Sequence, residues 1–260
     1  MSHHHEKFKV TEYWQQKAYV NSEKYLELYR QSIDEPEKFW AEQARRLHWF
    51  KEWVEVKNTS FNKPIDIKWF SGGKLNACYN CVDRHLPENA ERVAFYWEPD
   101  NPSEKNLTIT YSDLHKRVQT WAKALSEQGV KKGDRVTIYL PMIPEAIYSV
   151  LACARIGAIH SVVFAGFSPD SLADRINDCE SEFLITADEG LRGSKKIPLK
   201  KNADLAAKNC PNLKKMFVVK RTGEKVDWQT GRDFWYHEMC DSTTGDFPCV
   251  EMDAEDPLFI

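Results

Sequence analysis

Nowhere in the 260 residues is there a run approaching the roughly 18 consecutive apolar residues that a membrane helix needs. The opening Met1-Ser2-His3-His4-His5-Glu6-Lys7 has no hydrophobic signal core, and Glu6 and Glu12 argue against a transit peptide, so a cytoplasmic location is expected. Charge of one sign is also lacking. Thirty-six Lys and Arg stand against 39 Asp and Glu, a net charge of −3, which offers nucleic acid or an anionic membrane no global attraction. The seven cysteines are odd in number and scattered. Cys78 and Cys81 form one C-x-x-C, but a zinc site needs a second pair or histidines at ligand spacing, and His85 alone does not supply them. Reduced, mostly buried thiols are expected, one of them beginning a helix. No strand is followed by G-x-G-x-x-G, which weakens an oxidoreductase reading, and no Walker loop is present. Ser/His/Asp sets at motif spacing, paired carboxylates, repeats and low-complexity tracts are missing too.

What is present is a globular composition, 42% hydrophobic and 29% charged. Residues 1 to about 60 read as a helical, aromatic-rich lead-in. Ser22 can cap a helix with Tyr25, Leu26 and Tyr29 on its apolar face. A second helix starts near Asp34-Glu35-Pro36 and carries Trp40, Ala44 and Leu47 as a packing stripe. Asn58 to Gly73 reads as irregular, with one short strand at 65–68, and Ser71-Gly72-Gly73-Lys74 as a turn. Residues 92–98 and 107–111 are β-rich and flank the turn cluster Pro99-Asp100-Asn101-Pro102-Ser103, so an antiparallel hairpin is expected. Ser112 then caps a helix with Leu114, Val118, Trp121, Ala122 and Leu125 inward, ended by Gly129.

From Lys131 the pattern alternates. Strands are expected at 136–140, 161–164, 183–188 and 216–220. Helices are expected from Pro144, with Ile147, Val150, Leu151 and Ala154 inward, from Ser168-Pro169-Asp170, with Leu172, Ile176 and Cys179 inward, and over 202–209. This order argues for a mostly parallel sheet covered by helices, an α/β fold behind the helical lead-in and the hairpin. Ligands on such sheets bind at the carboxyl ends of the strands, which puts the loops after Leu140, Phe164 and Asp188 at the working edge.

Two of those loops have suggestive chemistry. Arg192, Lys195, Lys196, Lys200 and Lys201 fall within ten residues, with no acid between Glu189 and Asp204. Gly193 permits close backbone approach and Ser194 adds a hydroxyl. Such a loop suits a phosphate monoester, although composition alone fits a solvated basic loop as well. It lacks the interleaved aromatics of a nucleic-acid site. In Phe164-Ala165-Gly166-Phe167-Ser168 a small residue and a glycine sit at a strand mouth ahead of a helix N-terminus. That arrangement suits an anion, or simply makes the turn. His160, near a strand start, reads as structural.

Several long strings then stand out: VKNTSF at 56–61, NCVDRHL at 80–86, LACARIGAIHSVVFAGFSP at 151–169, IPLKKNAD at 197–204, KVDWQTGRDFWYHE at 225–238 and AEDPLFI at 254–260. In these the chain resembles, over nearly its whole length, the N-terminal portion of AMP-forming acetyl-CoA synthetases (acetate–CoA ligases). These belong to the adenylate-forming superfamily of acyl-CoA ligases, peptide-synthetase adenylation domains and luciferases. The resemblance implies a helical, aromatic-rich N-terminal region over 1–75. Over 76–260 it implies part of an AMP-binding-enzyme α/β domain, cut before its phosphate loop.

The reaction so implied has two steps. Acetate attacks the α-phosphate of ATP, held with Mg2+, to give acetyl-AMP and pyrophosphate, and the CoA thiol then attacks the mixed anhydride. In the family, the phosphate loop, acetate pocket, metal ligand and catalytic lysine lie beyond the equivalent of Ile260. No catalytic or metal residue is therefore assigned here, and the 260 residues alone are expected to be inactive. What the resemblance does assign is part of the CoA surface: Phe164, Ala165 and Gly166, with Arg192, Gly193, Ser194, Lys195, Ile197 and Pro198. Arg192 and Lys195 match the basic pair that meets the CoA 3′-phosphate. Position 195 is often Arg in the family, and Lys keeps the charge while losing the bidentate fork. Position 165 is often Gly, and Ala narrows the space there. The partners implied are acetate, ATP and CoA, the rest of the same chain, and neither nucleic acid nor membrane. A ligase for propionate or another short acid, and a non-catalytic phosphate- or nucleotide-binding module, are the alternatives.

Overall fold

The computed structural model describes residues 8–193 and 195–260. The alternating pattern yields five parallel strands in the spatial order Asp233–Trp235, Lys215–Val219, Phe183–Ala187, Arg135–Ile138, Ile159–Val162. Phe183–Ala187 is buried at every position, as a strand covered on both faces must be. The order reverses between the strands that come first and third within this sheet in chain order, Arg135–Ile138 and Phe183–Ala187. Right-handed crossovers then send the helix Pro144–Ile156 to one face and the helices Pro169–Asp178 and Leu199–Ala207 to the other. Pro144–Ile156 packs on the helix Tyr111–Glu127, which also meets Tyr236–Ser242, and the other two pack on each other.

Many local expectations hold. Pro144 and Pro169 open their helices, and the Ser168 hydroxyl accepts the Ser171 N–H at 3.3 Å. Leu114, Val118, Trp121, Ala122 and Leu125 are all buried, each side chain of Val or Leu size contributing about 1.5–3 kcal/mol. The hairpin of Val93–Trp97 with Leu107–Thr110 is antiparallel.

Other expectations fail for identifiable reasons. Thr110, not Ser112, caps the helix Tyr111–Glu127, because only a hydroxyl at 110 has Asp113 in place to complete a capping box. Asn21 rather than Ser22 caps the helix Ser22–Asp34. Tyr25, Leu26 and Tyr29 on that helix are exposed, and of the stripe Trp40, Ala44 and Leu47 only Ala44 is buried. The helix Pro144–Ile156 is apolar on nearly every side, so its periodicity does not single out a face. Ile147 is exposed and Val150 and Leu151 half-buried, while Tyr148, Ser149, Ala152, Cys153 and Ile156 are inside. Small residues on the inner side let the Trp121 indole reach the Ser149 hydroxyl at 3.1 Å. The segment expected to be irregular forms a hairpin, Glu55–Ser60 against Asp66–Ser71, whose first strand is polar and has no alternating signal. Asp233–Trp235 and the short pairing of Met252–Asp253 with Lys74–Leu75 are likewise invisible to periodicity. No helix among the described residues is long and apolar enough to cross a membrane.

One buried cation ties distant segments together. Arg155, 2% exposed, donates to the Asp83 carboxylate at 2.8 Å, to Gln119 Oε1 at 3.2 Å and to the Phe247 carbonyl at 2.6 Å. Its own carbonyl accepts the Val250 N–H at 2.9 Å. The buried Asn76 amide bridges the carbonyls of Ala154 and Val250 at 2.8 and 2.9 Å. Burial raises the Asp83 carboxyl, but hydrogen bonds from His115 and Arg155 outweigh it and hold the group below its ordinary value.

Arg155→Met leaves Asp83 without its main counter-charge and is expected to cost about 3–5 kcal/mol in urea unfolding; a loss under about 1 kcal/mol would contradict the assignment. Because the folded Asp83 pKa is depressed, its contribution is complete above the ordinary carboxylate value of about 4 and is lost as pH falls below it. Stability measured from pH 6 down to 3 should therefore fall less steeply in Asp83→Asn than in the parent.

Candidate anion site at the carboxyl edge of the sheet

The strand-order reversal opens a crevice at the carboxyl ends of Arg135–Ile138 and Phe183–Ala187, where doubly wound sheets take their ligands. Three segments border it. Tyr139 leaves the first strand fully buried and donates its hydroxyl to the Phe167 carbonyl at 2.8 Å, which fixes the second segment, Phe164–Phe167. That segment is a tight turn, with the Phe167 N–H on the Phe164 carbonyl at 2.9 Å. Gly166 leaves room for the Phe164 ring, which a Cβ at 166 would displace. Ala165 is buried with the core, and Phe164 stands exposed at the mouth.

The third segment, expected to be a loop, is a two-stranded hairpin: Gly190–Arg192 paired with Lys195–Ile197. Gly193 at its tip has φ +59°, a left-handed conformation natural to glycine. Ser194 lies outside the described residues. Ile197 packs against the core, and Pro198 leads into the helix Leu199–Ala207. Asp188 holds the base of the hairpin. Its buried carboxylate accepts backbone N–H groups from Glu189 (2.7 Å), Arg221 (2.8 Å), Thr222 (3.2 Å) and Gly223 (2.7 Å). No motif marks Asp188, but an acid closing the apolar strand FLITA is a signal in itself, because a strand-end carboxylate must find donors.

The structure brings Arg192 and Phe164 together. The guanidinium carbon lies 5.9 Å from the ring centroid, a cation–π distance. It also redistributes the five cations of the sequence. Lys200 points inward, fully buried, and pairs with Asp204 at 2.7 Å and Asp233 at 2.9 Å. Lys196 bridges Glu189 at 3.0 Å and Glu224 at 3.1 Å, bonds that hold its ammonium above its ordinary value and draw Glu224 below. Only Arg192, Lys195 and Lys201 make no carboxylate ion pair among the described residues, and all three are exposed. Asp100, from the turn between the antiparallel hairpin strands, takes the Gly193 N–H at 3.0 Å. The tip is thus mixed in charge, and its one anchored N–H is already in use.

Among the described residues, one group of three donors is close enough to share an ion: Cys78, Asp83 and Cys249. Two thiols beside the Arg155 guanidinium do not fit Mg2+, which takes oxygen ligands.

Comparison with known proteins agrees with this fold. The family model described as AMP-binding enzyme matches residues 82–260, and that described as acetyl-coenzyme A synthetase N-terminus matches residues 25–81. The chain is 54% identical over 255 residues to acetyl-coenzyme A synthetase of Rhizobium rhizogenes, covering 96% of this chain and 39% of that protein. It is 56% identical over 248 residues to that of Bradyrhizobium diazoefficiens, covering 95% and 38%. With acetyl-coenzyme A synthetase 2 of Pseudomonas aeruginosa the identity is 54%, covering 94% and 38%. The chain therefore spans about two fifths of the length of these curated relatives. The solved acetoacetyl-CoA synthetase of Streptomyces lividans shares the fold at a TM-score of 0.81 and 22% identity, over 93% of this chain and 36% of that one. On these matches the chain belongs to the AMP-binding enzyme family, with the acetyl-coenzyme A synthetase N-terminal segment ahead of the AMP-binding region.

Proposed function

We propose that this chain is the part of an acetate–CoA ligase that receives the nucleotide end of CoA. The complete enzyme would convert acetate, ATP and CoA to acetyl-CoA, AMP and pyrophosphate through acetyl-AMP, in the cytoplasm. The relatives' names favour acetate over propionate. A purely phosphate-binding module is disfavoured by family membership in an enzyme class. The Mg2+ expected with ATP takes oxygen ligands, which the Cys78–Asp83–Cys249 group does not supply.

One observation carries the CoA reading. Beside Phe164 at the carboxyl edge, Arg192 and Lys195 keep their charges for a ligand, while Lys196 and Lys200 spend theirs on carboxylates. Arg192 can grip a phosphate monoester through two N–H groups, with its plane steadied by the Phe164 ring. Lys195 adds a second charge across the hairpin pair Lys195–Arg192. Since Asp100 occupies the Gly193 N–H, side chains rather than backbone hold the anion. The phosphate here takes no part in bond making, so its binding energy serves to hold and orient CoA for the second step.

In the complete enzyme, Arg192→Ala should raise the KM for CoA by about 5- to 150-fold, since a charge-assisted contact is worth about 1–3 kcal/mol. Acetate-dependent ATP–pyrophosphate exchange should be spared. Dephospho-CoA, which lacks the 3′-phosphate, should show little change, and an equal effect on both would refute phosphate recognition. Asp100→Asn should tighten CoA several-fold by removing a like charge. Lys200→Met serves as the contrast: it should lower the unfolding midpoint and leave the ratio of KM values for CoA and dephospho-CoA unaltered.

A further inference from the structure

The C-x-x-C of the sequence suggests Cys81 as the natural companion of Cys78. The fold gives Cys78 a different neighbour. Cys78 sits fully buried on the short helix Ala77–Cys81, and its Sγ lies within 4.8 Å of Cys249 Sγ and of an Asp83 carboxylate oxygen. Cys249 is half-buried, with its Sγ 3.7 Å from Asp83 Oδ2. Both sulfurs are held from two sides by the same scaffold. Asn76, two residues before Cys78, bonds the Val250 carbonyl at 2.9 Å. Arg155 bonds the Phe247 carbonyl at 2.6 Å and reaches Cys78 Sγ at 3.7 Å. Val250 N–H returns to the Arg155 carbonyl at 2.9 Å. The segment 247–250 is thus fixed against the helix that carries Cys78.

We propose that Cys78 and Cys249 are a redox-active pair that closes to a disulfide when the protein meets a hydroperoxide. Closure brings the sulfurs from within 4.8 Å to about 2.05 Å, a movement on the scale of side-chain rotation. Burial opposes a thiolate on Cys78, but a hydrogen bond from the Cys249 thiol, first, and the Arg155 charge outweigh it and lower the Cys78 thiol below its ordinary value. Cys249 is the accessible sulfur of the pair and lies 3.7 Å from Asp83 Oδ2; as its sulfur attacks the peroxide O–O bond, the Asp83 carboxylate takes its proton. Cys249 becomes a sulfenic acid and the second oxygen leaves as hydroxide. The Cys78 sulfur then attacks Cys249, the S–O bond breaks, and the leaving oxygen departs as water with the Cys78 proton. Two thiol sulfurs are oxidised and one peroxide is reduced. The bond would covalently join the helix Ala77–Cys81 to the strand-linking segment at 247–250. Cys81 is on the exposed side of its helix and takes no part.

The test is disulfide mapping on the complete protein. The native protein is treated with one to a few equivalents of hydrogen peroxide, the remaining thiols are alkylated, and tryptic peptides are analysed by mass spectrometry without reduction. A cross-link between the peptide 75–84 and the peptide beginning at Asp233 is expected, with loss of two alkylatable thiols. It should persist in Cys81→Ser and Cys240→Ser, and it should vanish in Cys249→Ser. A Cys78–Cys81 bond in the parent protein, a cross-link that disappears in Cys81→Ser, or oxidation of Cys249 only to sulfinic acid without cross-linking would overturn the proposal. The parent, Cys81→Ser and Cys240→Ser proteins together decide, so the result does not depend on replacing the fully buried Cys78.

Discussion

The edge of this molecule depends on a buried carboxylate. Asp188 ends the central strand of the sheet, and water does not reach it to solvate its charge. It is satisfied instead by four backbone N–H groups, one from its own strand exit and three from the exit of the neighbouring strand, Lys215–Val219. Leaving such a charge unpaired would cost several kcal/mol, so the chain on both sides must adopt the path that supplies the donors. That path pairs Gly190–Arg192 with Lys195–Ile197 and carries Arg192 to the exposed Phe164 ring. The neighbouring Arg221 is held in turn by a two-pronged bond to Glu104 at 2.8 and 2.9 Å. The base of the edge is thus made of buried polar bonds, and its rim carries the exposed cations Arg192 and Lys195.

That division explains which features of the site were legible. Cation density between 192 and 201 is a fact of sequence, and the strand-end position of the loop follows from the β/α alternation. Pairing is not legible. Glu224 and Asp233 lie on other segments and meet Lys196 and Lys200 only after the sheet has formed, whereas Asp204 reaches Lys200 at i,i+4 on one helix. Asp100 arrives at Gly193 from a different hairpin altogether. Composition overstates the basic character of the loop, and the structure narrows it to a few side chains.

The fold was legible wherever local chemistry agreed with burial. Pro144, Ser168-Pro169 and the stripe from Leu114 to Leu125 combine a capping signal with a clear period, and each produced the expected element. Legibility failed where the pattern was saturated or absent. The helix Pro144–Ile156 is too uniformly apolar to reveal its inner face, and the strand Glu55–Ser60 is too polar to reveal itself as a strand. In both cases partners distant in sequence decide the outcome. The Arg155 hub, which gathers Asp83, Gln119 and Phe247 around one guanidinium, is the extreme instance.

We propose that the anion at the carboxyl edge is held by Arg192 and Lys195, two of the three loop cations that make no carboxylate ion pair, and not by the loop's cations as a whole. A crystal structure of the complete protein with CoA tests it most directly. The 3′-phosphate is expected within about 3 Å of the Arg192 guanidinium and the Lys195 ammonium, with Phe164 beneath the arginine plane and Lys196 still bonded to Glu189 and Glu224. A 3′-phosphate bound by Lys196 or Lys201, or lying at another edge of the sheet, would contradict it.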